Sequence, residues 1–391
     1  MREQIKKLML GNGLAQLLQF WSILILSRIY QPSDFGVLAQ VQSIAMIASI
    51  GLTLQLHLTI PLSKTQDEAL EAVKRIQTLS LGIFFVALMP AIWSGETALY
   101  ALFLSLFLGL TNTYTGFLVY TGNFGKMSIF YVARALLIIV TQICFAYLHL
   151  ENGLVIASLA GEALFSCYLG SRRLYSTKNN IPKFNDLKKL ILDNKPFSLY
   201  GTIQEMVSIF AFYAPLLLFS AKYGEDVGGQ YAMANRLVWA PVVLISSSFA
   251  QVLYHKLGKE KPTTSADIRS LIPSKKISAL AIITVLCTFP MTELFRMILG
   301  QQWSLASKLL PLQLLWGLFF LASTPFRVAG RVLLLQSHLI IIDFWMIALT
   351  CLIFYLFSLE PLGLMLALLA VVFLQHSSIV ALILSKANSI K

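Results

Sequence analysis

Five arginines, Arg28, Arg134, Arg236, Arg327 and Arg331, stand within or at the edges of long apolar runs. His57, His376, Glu162, Glu205 and Asp343 share that setting. An ionised side chain in hydrocarbon costs about 3 kcal/mol or more, so such groups face protein or a water-filled cavity. A guanidinium is planar, permanently charged and forked, which suits it to phosphate oxygens. Several of them around one hydrated crevice would bind an anionic headgroup such as a diphosphate. The candidate contacts are Arg28, His57, Arg134, Arg236, Arg327 and Arg331. The alternative for each arginine is snorkelling to a membrane surface or pairing with a nearby acid. Arg28 and Arg331 lie close to run ends, where snorkelling is open to them. Arg236 lies about nine residues into its run, out of reach of bulk water unless a cavity exists. Glu205, Asp343 and Glu162 are candidates for holding a proton or Na⁺ and releasing it on reorientation. Their alternative is a structural pair with an arginine or a helix N-terminus.

Membrane helices must position these groups. A bilayer core takes about 20 mostly apolar residues per helix. On that template about twelve spans are expected, at 8–30, 36–60, 76–93, 98–120, 128–148 and 153–170, then 197–220, 228–254, 277–292, 308–334, 338–357 and 362–384. Pro290, Glu293, Arg296 and Pro311 interrupt the ninth and tenth. Thr111-Asn112-Thr113-Tyr114-Thr115-Gly116 in the fourth is a stripe that either lines a sugar path or lets helices pack closely. The four cysteines fall inside apolar stretches without a CxxC pair and are read as packing residues rather than metal ligands.

Charge distribution fixes the expected orientation. The 391-residue chain is 57% hydrophobic and 12% charged, which excludes an aqueous globular fold. Its net charge of +12 resides in short loops rather than in a nucleic-acid-binding patch. With the N-terminus inside, 22 basic residues lie on the cytoplasmic side and four, Arg28, Lys222, Arg296 and Lys308, on the other. That asymmetry places both termini in the cytoplasm. Residues 1–175 are expected to form one six-helix lobe and 196–391 another. Between them, 176–195 reads as a basic cytoplasmic linker with a short amphipathic helix at its end.

The two halves share a motif. Ser27, Tyr30, Gly36 and Ala39 fall on Ser220, Tyr223, Gly229 and Ala232 at a constant offset of 193 residues. Both halves begin on the same side, so the repeats are parallel, and a cavity between similar lobes suits a transporter. No P-loop or hydrolase constellation occurs, and the outer loops are too short to hold the catalytic groups of a polymerase or ligase.

Leu26-Ser27-Arg28-Ile29-Tyr30-Gln31-Pro32-Ser33-Asp34-Phe35-Gly36 resembles the opening motif of the polysaccharide and O-antigen flippases (Wzx type). Leu56 to Leu70, with Ile60-Pro61-Leu62-Ser63-Lys64 leading into Asp67-Glu68-Ala69, resembles that family's second-span exit, and Tyr223 to Leu237, with Pro241 and Ser246 to Val252, its eighth-span region. The resemblance implies an all-α integral membrane protein of the multidrug/oligosaccharidyl-lipid/polysaccharide flippase superfamily. Its fold would be MATE-like, two six-helix lobes in a V around a cationic cavity. It implies a bacterial inner-membrane protein moving an undecaprenyl-diphosphate-linked oligosaccharide to the periplasmic leaflet, coupled to Na⁺ or H⁺ and without a cofactor. Arg28 and Arg236 sit in the matching motifs. The related lipid II flippases carry further arginines in their first two spans, where this chain has Gln16, Gln19 and His57. Their sodium site uses acids in the seventh and eleventh spans, which here hold Glu205 and Asp343. The implied partners are the lipid-linked substrate, membrane lipids and other glycan-assembly proteins, around a monomer. The runner-up is a MATE-type multidrug antiporter.

Overall fold

Helices α1 (Arg2–Ile29), α2 (Pro32–Thr53), α3 (Gln66–Ser94), α4 (Glu96–Tyr120), α5 (Phe124–Ala146) and α6 (Gly153–Arg173) follow one another through short turns. After them come α7 (Phe184–Asp193), α8 (Thr202–Tyr223), α9 (Glu225–Lys259) and α10 (Thr288–Leu299). The last three are α11 (Ser304–Val332), α12 (Gln336–Leu356) and α13 (Pro361–Asn388). The computed structural model describes residues 2–148, 150–173, 182–259, 288–333 and 335–388, and all regular structure among them is helical.

Local chemistry sets the helix ends. Thr65 caps α3 by accepting from the Glu68 N–H at 3.2 Å, while the Glu68 carboxylate accepts from the Thr65 N–H at 3.3 Å, a reciprocal capping box. Asp34 accepts from the Gln31 N–H at 2.9 Å and Pro32 opens α2, where its missing N–H costs nothing. Gly224, at φ 88°, supplies the left-handed residue that lets α9 follow α8 directly.

The second span differs from expectation. Residues 36–60 were expected to be one helix, but α2 ends at Thr53, because Leu54 and Gln55 adopt left-handed backbone at φ 47° and 54°. A tight 3₁₀ segment, Leu56–Leu62, follows and carries His57. Elsewhere several helices outrun the expected spans, α3 most of all by starting at Gln66, and Pro311 and Pro325 sit inside an unbroken α11. Most of the expected ninth span, 277–292, lies outside the described residues.

Among the described residues nine helices are long and apolar enough to cross a bilayer. The apolar part of α6, Gly153–Tyr168, is shorter, and α9 runs for 35 residues. Large side chains such as Phe85, Val86 and Tyr355 are exposed, as lipid-facing positions are. Cys144, Cys167 and Cys351 are exposed too, so these three face outward rather than pack inside as expected.

The helices divide into two compact units, one of residues 1–30 and 37–210, the other of 31–36 and 211–391. In the first, Leu56, Ile60, Ala69, Val73, Ile76 and Leu190 form one core cluster. Close approach there relies on small residues: a Cβ on Gly116 would stand 2.7 Å from the His57 carbonyl oxygen. In the second unit Leu253, Phe326, Ala329, Leu339, Ile379 and Ile383 pack together. Between membrane helices such packing, rather than water exclusion, supplies the attraction.

Candidate functional site

The repeated motif has a structural task in both units. The Tyr30 hydroxyl donates to the Gln142 carbonyl of α5 at 2.8 Å. Its counterpart Tyr223 donates to the Leu359 carbonyl just beyond α12. Lys222 beside it donates to the Phe354 carbonyl at 2.7 Å and to that of Phe357. The repeated glycines meet inside the second unit. A Cβ on Gly229 would lie 1.7 Å from the Pro32 carbonyl oxygen, and one on Gly36 would lie 2.0 Å from that of Glu225. The first turns of α2 and α9 therefore touch backbone to backbone.

Two of the candidate arginines are paired. In the first unit Arg134 on α5 donates through Nε to both Glu162 carboxylate oxygens on α6, at 3.0 and 2.9 Å, and through Nη2 to Oε1. Glu162 is buried and Arg134 half-buried. In the second unit Arg327 on α11 donates to Asp343 on α12 through Nη2 at 3.0 Å and Nη1 at 3.4 Å. Gln375 on α13 donates to the same carboxylate at 2.8 Å. One turn before Arg327, Ser323 meets His376 Nδ1 at 2.7 Å. Arg327 Nε and His376 Nε2 are buried without a hydrogen-bond partner. Five polar side chains from three helices thus form one buried layer. Gln375 and Ser323 were not among the expected site residues; the polar run Gln375-His376-Ser377-Ser378 in an otherwise apolar helix marks the place.

The remaining candidates stand apart from these pairs. Arg236 is half-buried in α9, its guanidinium 5.6 Å from the centroid of the Phe35 ring. Phe35 is fully buried and meets Trp303 edge-on at 5.2 Å. Tyr213 lies within electrostatic range of the same guanidinium. An arginine over an aromatic face keeps its charge while gaining cation–π attraction of about 0.5–2 kcal/mol. Arg28 is exposed on the last turn of α1, where a cation complements the helix dipole. His57 is half-buried, with Nδ1 lacking a hydrogen-bond partner. Glu205 is exposed on the first turn of α8. Arg331 lies on the last turn of α11, and its side chain is outside the described set.

These helices define an all-α, multi-pass membrane protein. The chain belongs to the polysaccharide biosynthesis protein family, which its residues 3–254 match. It is 26% identical over 303 residues to the succinoglycan biosynthesis transport protein ExoT of Rhizobium meliloti (strain 1021). That match covers 74% of this chain and 60% of the relative, so the chain spans about three fifths of the curated protein's length. Its fold is similar to that of solved transporters. The lipid II flippase MurJ in an inward closed conformation matches with a TM-score of 0.71 at 12% identity, over 97% of this chain and 90% of that one. An inward-facing multidrug resistance MATE family transporter matches with a TM-score of 0.69 at 12% identity, over 98% and 95%.

Proposed function

We propose that this chain is a flippase that carries an undecaprenyl-diphosphate-linked oligosaccharide from the cytoplasmic to the periplasmic leaflet of a bacterial inner membrane. Family membership and a relative named as a succinoglycan transport protein support the class. The observation that carries the site assignment is Arg236, held in α9 against the Phe35 ring rather than at a helix end. Its guanidinium is the headgroup contact of this reading, with Arg28 and Arg331 nearer the membrane surfaces. Arg134 and Arg327 are committed to carboxylates and serve as positioning residues. Ion coupling belongs to the same reading. Asp343 is its first candidate, since neutralising that carboxylate would release both Arg327 and Gln375; exposed Glu205 is the second.

The test is translocation of fluorescent lipid-diphosphate oligosaccharide in vesicles holding the purified chain. Arg236→Ala should lower the rate at least tenfold, the loss of a charged hydrogen-bonding group being worth about 1.5–3 kcal/mol. Arg236→Lys should restore part of it, because the charge returns without the fork. An unchanged rate in a well-folded Arg236→Ala protein removes the assignment. Asp343→Asn and Glu205→Gln, assayed across pH and Na⁺ gradients, separate the coupling candidates. The fold likeness to a multidrug transporter raises a drug antiporter as the second reading. A cationic drug needs an available buried carboxylate, and Glu162 and Asp343 are both held by guanidinium groups.

A further inference from the structure

The short helix α7 is seated in a way the transport reading does not use. Leu190 is buried against Leu56, Ile60, Val73 and Ile76, and Ile191 packs beside it. The end of α7 is closed by its own following residues: Asn194 Nδ2 donates to the Leu190 carbonyl at 2.9 Å, and the Ser198 hydroxyl to that of Ile191 at 2.8 Å. With that face fixed, Phe184, Lys188 and Leu192 line up at i, i+4 and i+8 on a different stripe. Phe184 is 79% exposed and Leu192 47%, with Lys188 between them and Lys189 alongside, both exposed. The apolar exposure continues through a wide π turn, Pro196–Gly201, where Tyr200 is 69% exposed, and into α8 at Ile203, 54% exposed. Those α8 residues open a membrane span. The ridge of α7 therefore sits where that span meets the lipid headgroups.

We propose that α7 is a docking site for acidic phospholipid in the leaflet it faces. Phe184 and Leu192 enter the upper acyl region, while Lys188 and Lys189, with Lys183 and Lys195 at the two ends, hold the headgroup phosphates. Lys188 shares the ridge with Phe184 and Leu192, so its long stem lies along the apolar surface while its ammonium reaches up to the phosphates, and Lys189 does so from the flank. The charge balance fits an anionic surface. Asp186 is turned back on the helix start, accepting from the Lys183 N–H at 3.0 Å, which leaves Asp193 as the acid facing outward against four lysines. The loop charges assign this leaflet to the cytoplasmic side, where a positive face is expected.

The experiment measures competition between spin-labelled phosphatidylglycerol and phosphatidylcholine for the surface of the full chain in phosphatidylcholine bilayers. Wild-type protein should prefer phosphatidylglycerol. Lys188→Gln/Lys189→Gln should lower that preference by up to about 25-fold, since each lysine near an anionic surface contributes a factor of roughly five. Both positions are exposed, so thermal stability in detergent should stay unchanged. Lys126→Gln, an exposed lysine at the start of α5, should leave the preference intact. Inorganic phosphate should compete no better than sodium chloride at equal ionic strength if the site needs a lipid in a bilayer. The proposal is overturned by an unchanged preference in the double variant, an equal loss in Lys126→Gln, or displacement by free phosphate. A stable dimer that occludes α7 overturns it as well.

Discussion

Arg134–Glu162 and Arg327–Asp343 each join a half-buried arginine to a buried carboxylate, yet they link different steps of the helix sequence. Tyr30 and Tyr223, equivalent by the repeat, reach carbonyls on α5 and at the end of α12 respectively, which marks α5 and α12 as counterparts. In the first unit the pair ties α5 to the helix after it; in the second it ties α12 to the helix before it. The repeat therefore preserves what holds the scaffold, the tyrosine latch and the small residues, and not where charge is buried. The pairs also differ in company. Glu162 has its arginine, whereas Asp343 accepts from Arg327 and Gln375 beside a Ser323–His376 contact. A buried pair with unfilled donors nearby is better placed to change state than one whose hydrogen bonds all run between two partners.

The scaffold half of this contrast breaks most readily at the glycines. Gly229→Ala places a methyl 1.7 Å from the Pro32 carbonyl oxygen, which only backbone movement relieves. Folded protein should be lost, as read by fluorescence-detected size exclusion, while Gly51→Ala, with open space around it, should behave as wild type. If Gly229→Ala folds normally, the backbone contact is not what the repeat conserves. Next in size are the pairs. Glu162→Ala and Asp343→Ala each leave a guanidinium without its counter-ion, at a cost of about 3–5 kcal/mol. Asp343→Ala should cost more, because Gln375 also loses its acceptor. Arg134→Met/Glu162→Leu and Arg327→Met/Asp343→Leu should each recover most of the lost melting temperature. The first double variant should keep the pH and Na⁺ dependence of transport and the second should lose it. Equal behaviour of the two would erase the distinction between the units. Smallest is the latch: Tyr30→Phe and Tyr223→Phe should each cost about 1 kcal/mol. Unequal costs would show that the two tyrosines no longer do the same work.

Much of this was legible beforehand, and the exceptions have physical causes. Apolar run length located the helices, and the repeat offset marked the residues that turned out to latch and touch. The short helix α7 was legible from Lys188-Lys189 among leucines. Pairing was visible only as an alternative. Arg134 and Glu162 are 28 residues apart, and their meeting depends on the rotational phase of two helices, which composition does not carry. The early end of α2 was hidden as well. Leu54 and Gln55 are ordinary residues whose left-handed backbone is imposed by the packing of the segment that follows, through Leu56 and Ile60. Arg236 was picked out by depth, but its aromatic neighbour Phe35 comes from a distant stretch of chain.

Lys222 supplies α12 with something helix ends in lipid usually take from water. Its ammonium satisfies the Phe354 and Phe357 carbonyls from a neighbouring helix, so that terminus carries its own hydration substitute. Such an end can sink below the headgroup plane without stranding polar backbone. The protein should therefore tolerate thicker bilayers at this corner than the 21 residues of α12 alone would suggest.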